Sequence, residues 1–277
     1  MNPFKLSIEK LTNVFEQLEI STCEPGFCDH PMFLELERKN PELLNFYAAF
    51  VARRQYSANY LARAEKTIRS SAQLLHRELV AHGRLGACVD ISGIFSKILD
   101  KEEIWNTCIK GSLTISFPPA SGIQPRYFWS SDHGEFTAGH AWLFVPPFTV
   151  VDISAKQQPY EDKEFDYIPD LVLSKQNKVV EVYAEDIISP TARAEMIQHG
   201  IPPNGHLKCA APYFPELFSA IPPIIIQGVK GATLKYSPVA IHAADCSLED
   251  MRNMEFSGLT PGELYKQRLK AEIERDR

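Results

Sequence analysis

The sequence predicts an α+β fold: a helical first third, then a helix packed on an antiparallel sheet. Three observations carry this. Residues 4–80 are dominated by apolar residues at helical spacing, a further helical stretch follows from Cys88, and residues 107–153 contain three strand-like segments in succession. Three regions follow: a helical N-terminal region at 1–82, a core at 83–160, and a mixed α+β extension at 161–277 that packs as the same compact unit.

In chain order, Phe4 to Glu19 places Leu6, Leu11, Val14, Phe15 and Leu18 mostly on one helical face. Pro25-Gly26 and Pro31 read as breakers of a loop. Asn40-Pro41-Glu42 reads as an N-cap with proline at the first helical position. A helical pattern then runs from Pro41 to about Val80, as one helix or two, and Gly83 and Gly86 close it. Cys88 to Leu99 repeats apolar residues at three- and four-residue steps and is again helical. Thr107–Phe117, Ala138–Val145 and Phe148–Ile153 are apolar, aromatic and β-branched, as strands require. Beyond Lys156, Val179–Tyr183 and Thr233–Ile241 read as strands, and Pro190–His199 and Pro261–Arg275 as helices.

Composition narrows the function. At 44% hydrophobic and 23% charged, the 277 residues are ordinary globular material. A net charge of -6 and no dense Lys/Arg cluster argue against a nucleic-acid partner. The apolar stretch Ile221–Gln227 is too short to cross a bilayer, and the charged N-terminus has no signal core. The expectation is a cytoplasmic protein whose six dispersed cysteines are free thiols. No cofactor is expected.

Cys88 is the cysteine placed for chemistry. It follows two glycines and opens a helix, where free N–H groups and the helix dipole favour a thiolate and could hold an oxyanion. A base lies downstream in AGHAWLFVPPFTVVDIS. A hairpin centred on Pro146 sets His140 directly opposite Asp152, with Cβ atoms about 4.5–5.5 Å apart. A carboxylate there can orient one imidazole nitrogen and leave the other for a thiol.

These segments resemble the transglutaminase-like superfamily of papain-type cysteine enzymes: GACVDISGIFSKIL, then IKGSLTISFP, then GHAWLFV and VVDIS. The match covers roughly residues 80 to 160. It implies Cys88 as nucleophile, His140 as base and Asp152 as orienter, with the nucleophile helix packed on an antiparallel sheet in a papain/transglutaminase-like core. It implies acyl transfer at an amide or thioester bond of a peptide, protein or small substrate, by a peptidase, deamidase or transglutaminase. Many relatives place a tryptophan or glutamine before the cysteine as a second oxyanion donor. No tryptophan precedes Cys88, since the three are Trp105, Trp129 and Trp142, and Gln55, Tyr56, Tyr60 and Gln73 stand upstream without a choice among them.

Trp142, His133, Glu135 and Trp129 are the expected substrate-binding residues, and Arg126, Tyr127 and Phe128 continue a cleft wall beside Trp129. Two other readings compete: a non-catalytic protein-binding domain of the same fold, and a metal site built from Cys88, His133, His140 and Asp152. Cys23, Cys28 and His30 form a C-x4-C-x-H pattern that lacks a fourth ligand and is read as a loop. Asp90 is read as a first-turn acid matching the helix dipole.

Overall fold

The computed structural model describes residues 2–132, 139–210 and 214–276. The fold is mixed α and β, with helices in the first third and an antiparallel sheet. Four helices precede the core: α1 (Ile8–Gln17), α2 (Pro31–Lys39), α3 (Leu43–Arg53) and α4 (Ala58–His82). Pro31, expected as a breaker, instead begins α2. A proline at the first turn gives up only an N–H that a helix start leaves unpaired, and His30 caps the turn by accepting from Met32 N. The helix expected from Pro41 starts at Leu43, because Asn40 Oδ1 first closes a turn onto Glu42 N.

The helix that opens with Cys88 is α5 (Cys88–Lys101). The strands are β1 (Thr107–Ser116), β2 (Arg126–Phe128), β3 (His140–Val145), β4 (Phe148–Asp152), β5 (Val172–Ser174), β6 (Ile224–Gln227) and β7 (Thr233–His242). They form one antiparallel sheet in the order β5-β4-β3-β1-β7-β6, with β2 paired to the far half of β1. The region from 161 onward thus supplies β7, which runs along nearly the whole of β1. Val179–Tyr183 is not a strand. Val180 N bonds to Pro223 O and Val182 is buried against Ile187 and Ile188, so the segment packs without pairing with a strand. The C-terminal helical run, Pro261–Leu264 then Tyr265–Leu269 then Lys270–Asp276, contains a π turn at its centre.

Alternate residues of β3 divide two cores. Trp142 and Phe144 join Phe15, Phe50, Trp105 and Tyr236, the cluster built with the N-terminal helices. Leu143 and Val145 join Ile91, Ile94, Phe95 and Leu75 from α5 and α4. The sheet is therefore covered by helices on both sides, as its continuously apolar strands require. No helix among the described residues is long and apolar enough to cross a membrane.

The sheet is tightest at Gly111, opposite His140. A Cβ there would lie 2.3 Å from Ser237 O and 2.4 Å from Trp142 Cη2. Gly111→Ala should therefore push β1 from β7 or displace Trp142, costing about 1–3 kcal/mol as other overpacked cores do. Gly93, inside α5, has the opposite environment. A Cβ there meets Met251 and Ala244 at 3.6 and 3.8 Å, ordinary contact distances. Gly93→Ala should stabilise by up to about 1 kcal/mol through helix propensity. Denaturant melts of the two variants check both signs.

Candidate functional site

Cys88 is the first residue of α5, and its N-cap, Ala87, offers no side-chain cap to the open N–H groups of that turn. Two contacts fix this end. Gly86 N donates to Gln157 O at 2.9 Å, and Ser92 Oγ, one turn on, donates to Ala141 O in β3 at 3.2 Å. The helix thus crosses the strand one residue beyond His140.

His140 and Asp152 meet, though not by the expected register. The hairpin pairs Val145 with Phe148 and, past a bulge, Leu143 with Val151. Continuing that register sets Asp152 opposite Trp142, so the expectation that it faces His140 directly is corrected. Pro146-Pro147 forms a two-residue turn, and the bulge shifts the pairing beyond it. The two side chains meet diagonally instead, a reach that long side chains manage across antiparallel strands. His140 Nε2 and Asp152 Oδ2 are 2.6 Å apart, with His140 0% and Asp152 1% exposed.

Asp152 is surrounded by donors. Tyr236 donates its hydroxyl to Oδ2 at 2.8 Å, while Ser154 N and Ser154 Oγ reach Oδ1 at 2.9 and 3.1 Å. Burial opposes the carboxylate's charge, but His140, Ser154 and Tyr236 outweigh it and hold the Asp152 pKa below its ordinary value. Burial and the neighbouring carboxylate push the Tyr236 phenol well above its ordinary value, so it remains a donor. For His140, burial favours the neutral ring. Asp152, through charge and hydrogen bond, and then Cys88 overcome this and raise its pKa to about 10.

These bonds decide the imidazole's roles. A carboxylate that accepts from Tyr236 and Ser154 leaves His140 Nε2 as the donor. Nδ1 is buried and makes no full hydrogen bond among the described residues. Cys88 is the second side chain, after Asp152, that favours the charged ring. Cys88 is itself 2% exposed. The six cysteines are unpaired, and burial pushes the Cys108 thiol up to about 12 and that of Cys28 well above the ordinary value.

The other expected residues separate into groups. Trp142 is 1% exposed, with its ring stacked on His140 and set edge-on to Tyr236, so it walls the imidazole. Trp129 stacks on Tyr127 and donates Nε1 to Glu185 O. With Arg126 the two line a groove of about 550 Å³. Phe128, between them in sequence, approaches the His140 ring at 6.2 Å. His133, Glu135 and Ala138 lie outside the described residues. Tyr56 donates to Val51 O and Tyr60 accepts from Trp105 N, so both hydroxyls are engaged elsewhere. Among the described residues no three His, Cys, Asp or Glu side chains are grouped to hold a metal ion. Cys28 is buried while Cys23 is exposed, and His30 serves as the α2 cap. Asp90 sits in the first turn of α5, bonded to Arg84 and Asn253.

Sequence reasoning missed Tyr236 and Ser154. Ser154 follows Asp152 by two residues, a short-range side-chain–backbone pattern that could have been read. Tyr236 lies 84 positions away and has no local signal. No family model matches the chain, and no curated protein or solved structure matches it.

Removing the carboxylate strands the His140, Tyr236 and Ser154 donors together. Asp152→Ala should lower the unfolding free energy by about 3–5 kcal/mol, the usual cost of breaking a buried charged pair. The pH dependence has a defined sign. His140 is raised from 6.5 to about 10 in the folded state, which therefore holds a proton the unfolded chain has released. The resulting stabilisation is complete below pH 6.5 and is lost as pH rises through about 10. The stability difference between the parent and His140→Gln should shrink over that interval in denaturant melts. A constant difference would count against a protonated imidazole.

Proposed function

We propose that this protein is a cysteine-nucleophile acyl-transfer enzyme acting on an amide or thioester carbonyl, with a papain/transglutaminase-like core. The observation that carries this is the buried His140–Asp152 pair, whose remaining imidazole nitrogen is left to Cys88 at the start of a helix. A structural histidine would have both nitrogens satisfied, as buried polar groups generally are.

In this mechanism the Cys88 proton rests on His140 Nδ1, the ion pair that the raised imidazole pKa favours, and the thiolate sulfur attacks the carbonyl carbon. The carbonyl π electrons move to oxygen, where the open N–H groups of the first turn of α5 hold the negative charge. The intermediate collapses by expelling the amine or thiol, which takes its proton from Nδ1, and the acyl group remains as a thioester on sulfur. A second nucleophile, water or an amine, gives its proton to Nδ1, attacks the thioester and returns Cys88. Peptidase or deamidase chemistry uses water, and transglutaminase chemistry an amine. Asp152 keeps the proton on Nε2 and balances the imidazolium.

Site-resolved alkylation by iodoacetamide, read by mass spectrometry across pH, tests the proposal. Cys88 should react at pH 6–7 at least about tenfold faster in the parent than in His140→Ala, with the variant following an ordinary thiol titration near 8.5. Identical profiles, or a Cys88 that does not react in the folded protein, would overturn the reading in favour of a non-catalytic domain.

A further inference from the structure

We infer that Tyr236 is a positioning residue of this site, its hydroxyl holding Asp152 as an acceptor so that the imidazole keeps its proton on Nε2 and presents Nδ1 to Cys88. The inference rests on the reading of Cys88, His140 and Asp152 as one site and adds a fourth member from β7, across β1 on the same face of the sheet.

The geometry is specific. Tyr236 is fully buried on β7, and its oxygen lies 2.8 Å from the same Oδ2 that meets His140 Nε2 at 2.6 Å. Two donors converge on one oxygen, while the backbone N–H and hydroxyl of Ser154 occupy the other. A proton passing from Nε2 to Oδ2 would break this arrangement. The phenol would then be donating to a neutral hydroxyl oxygen, a much poorer acceptor than a carboxylate, inside a 0% exposed site. A hydrogen bond to a charged group is worth more than one to a neutral group, and that difference is lost on protonation. Tyr236 therefore opposes protonation of Asp152 and fixes which imidazole nitrogen can serve the thiol.

The ring is held as firmly as the hydroxyl. It lies edge-on to Trp142 with centroids 5.2 Å apart and 6.2 Å from His140, and its strand pairs with β1 at Leu113 and with β6 at Ile224. The titratable groups facing the carboxylate are His140 from β3, Tyr236 from β7 and Tyr160 from the segment after β4, with Cys88 of α5 beyond the imidazole. Tyr160 donates its hydroxyl to Ala155 O at 2.6 Å and does not take the place of Tyr236.

The test follows the acid side of the Cys88 alkylation profile in four proteins: parent, Tyr236→Phe, Asp152→Asn, and the double variant. Loss of the donor lets Asp152 bind a proton at higher pH. The acid limb of the Tyr236→Phe profile should therefore move up by about one pH unit, the size of one hydrogen bond to a charged group. In the Asp152→Asn background the same change should have no further effect on the limb, because Tyr236 acts through that carboxylate. A limb that superimposes on the parent's, a uniform rate loss at every pH, or a shift that persists in Asp152→Asn would each overturn the inference. Should Tyr236→Phe fail to fold, 3-fluorotyrosine at position 236 decides. As a stronger donor of the same shape it should move the limb down, and no movement overturns the inference. His140→Ala separates the two levels: a profile there identical to the parent's removes the reading of the site itself, whatever Tyr236 does.

Discussion

A buried carboxylate needs donors, and the requirement of Asp152 organises this molecule. An ionised side chain moved out of water costs several kcal/mol unless hydrogen bonds and an opposite charge replace the solvent. Asp152 obtains these from three separate stretches of chain: His140 on β3, Ser154 just past β4, and Tyr236 on β7. Each must arrive with its donor aimed at a particular oxygen. The pairing of β3 with β4, the turn after Asp152 and the insertion of β7 beside β1 are thus mutually dependent. The last of these gives the C-terminal region a place in the core, since without β7 one oxygen of the carboxylate loses a donor and β1 loses its longest partner.

That arrangement needs close approach at the centre of the sheet. β1 pairs on one side with β3 and then β2, and on the other with β7, and at Gly111 both sides press in. The absence of a side chain lets Trp142 lie across this position and brings the Ser237 carbonyl near, which draws Tyr236 and His140 toward a common point. Gly139, with φ of 57°, completes the pinch from the other strand, where a Cβ would stand 2.4 Å from Gly111 O. Close packing here, more than propensity, sets the distance between His140 and Asp152.

Much of the fold was legible because the signals are local. The spacing of Val89 to Leu99 gives α5, and the runs of branched and aromatic residues give β1, β3 and β4, almost to the residue. The contact of His140 with Asp152 was legible for the same reason, each residue standing at the end of a strongly patterned element. The hairpin register was not. It turns on a bulge between Leu143 and Val145 that alternation does not reveal, and a one-sided extra residue reassigns every partner beyond it. The three-residue strands β2 and β5 carry too little pattern to stand out, whereas Val179–Tyr183 has strand-like residues and no sheet to join. Tyr236 was invisible because its significance lies wholly in the long-range pairing of β7 with β1.

The position of Cys88 depends as much on the far end of its helix as on the near one. About two and a half turns along, Lys97 is almost fully buried and pairs with Asp29 from the loop before α2. Beside it Asp100 accepts from Asn106 Nδ2 at 2.8 Å, and Ser96 Oγ donates to Asn106 Oδ1 at 2.6 Å. At the near end Arg84 meets Asp90 at 2.8 Å, Asn253 donates to Asp90 at 2.8 Å, and Gly86 is tied to Gln157. Exposed pairs such as Arg84 with Asp90 contribute little energy, but the buried Lys97 contact cannot be given up without stranding a charge. A helix clamped at both ends cannot slide along the sheet, and a slide of one residue would carry the sulfur about 1.5 Å from the imidazole. Proton transfer tolerates far less than that. The charged cluster at the end of α5 is therefore part of what keeps Cys88 in register with His140.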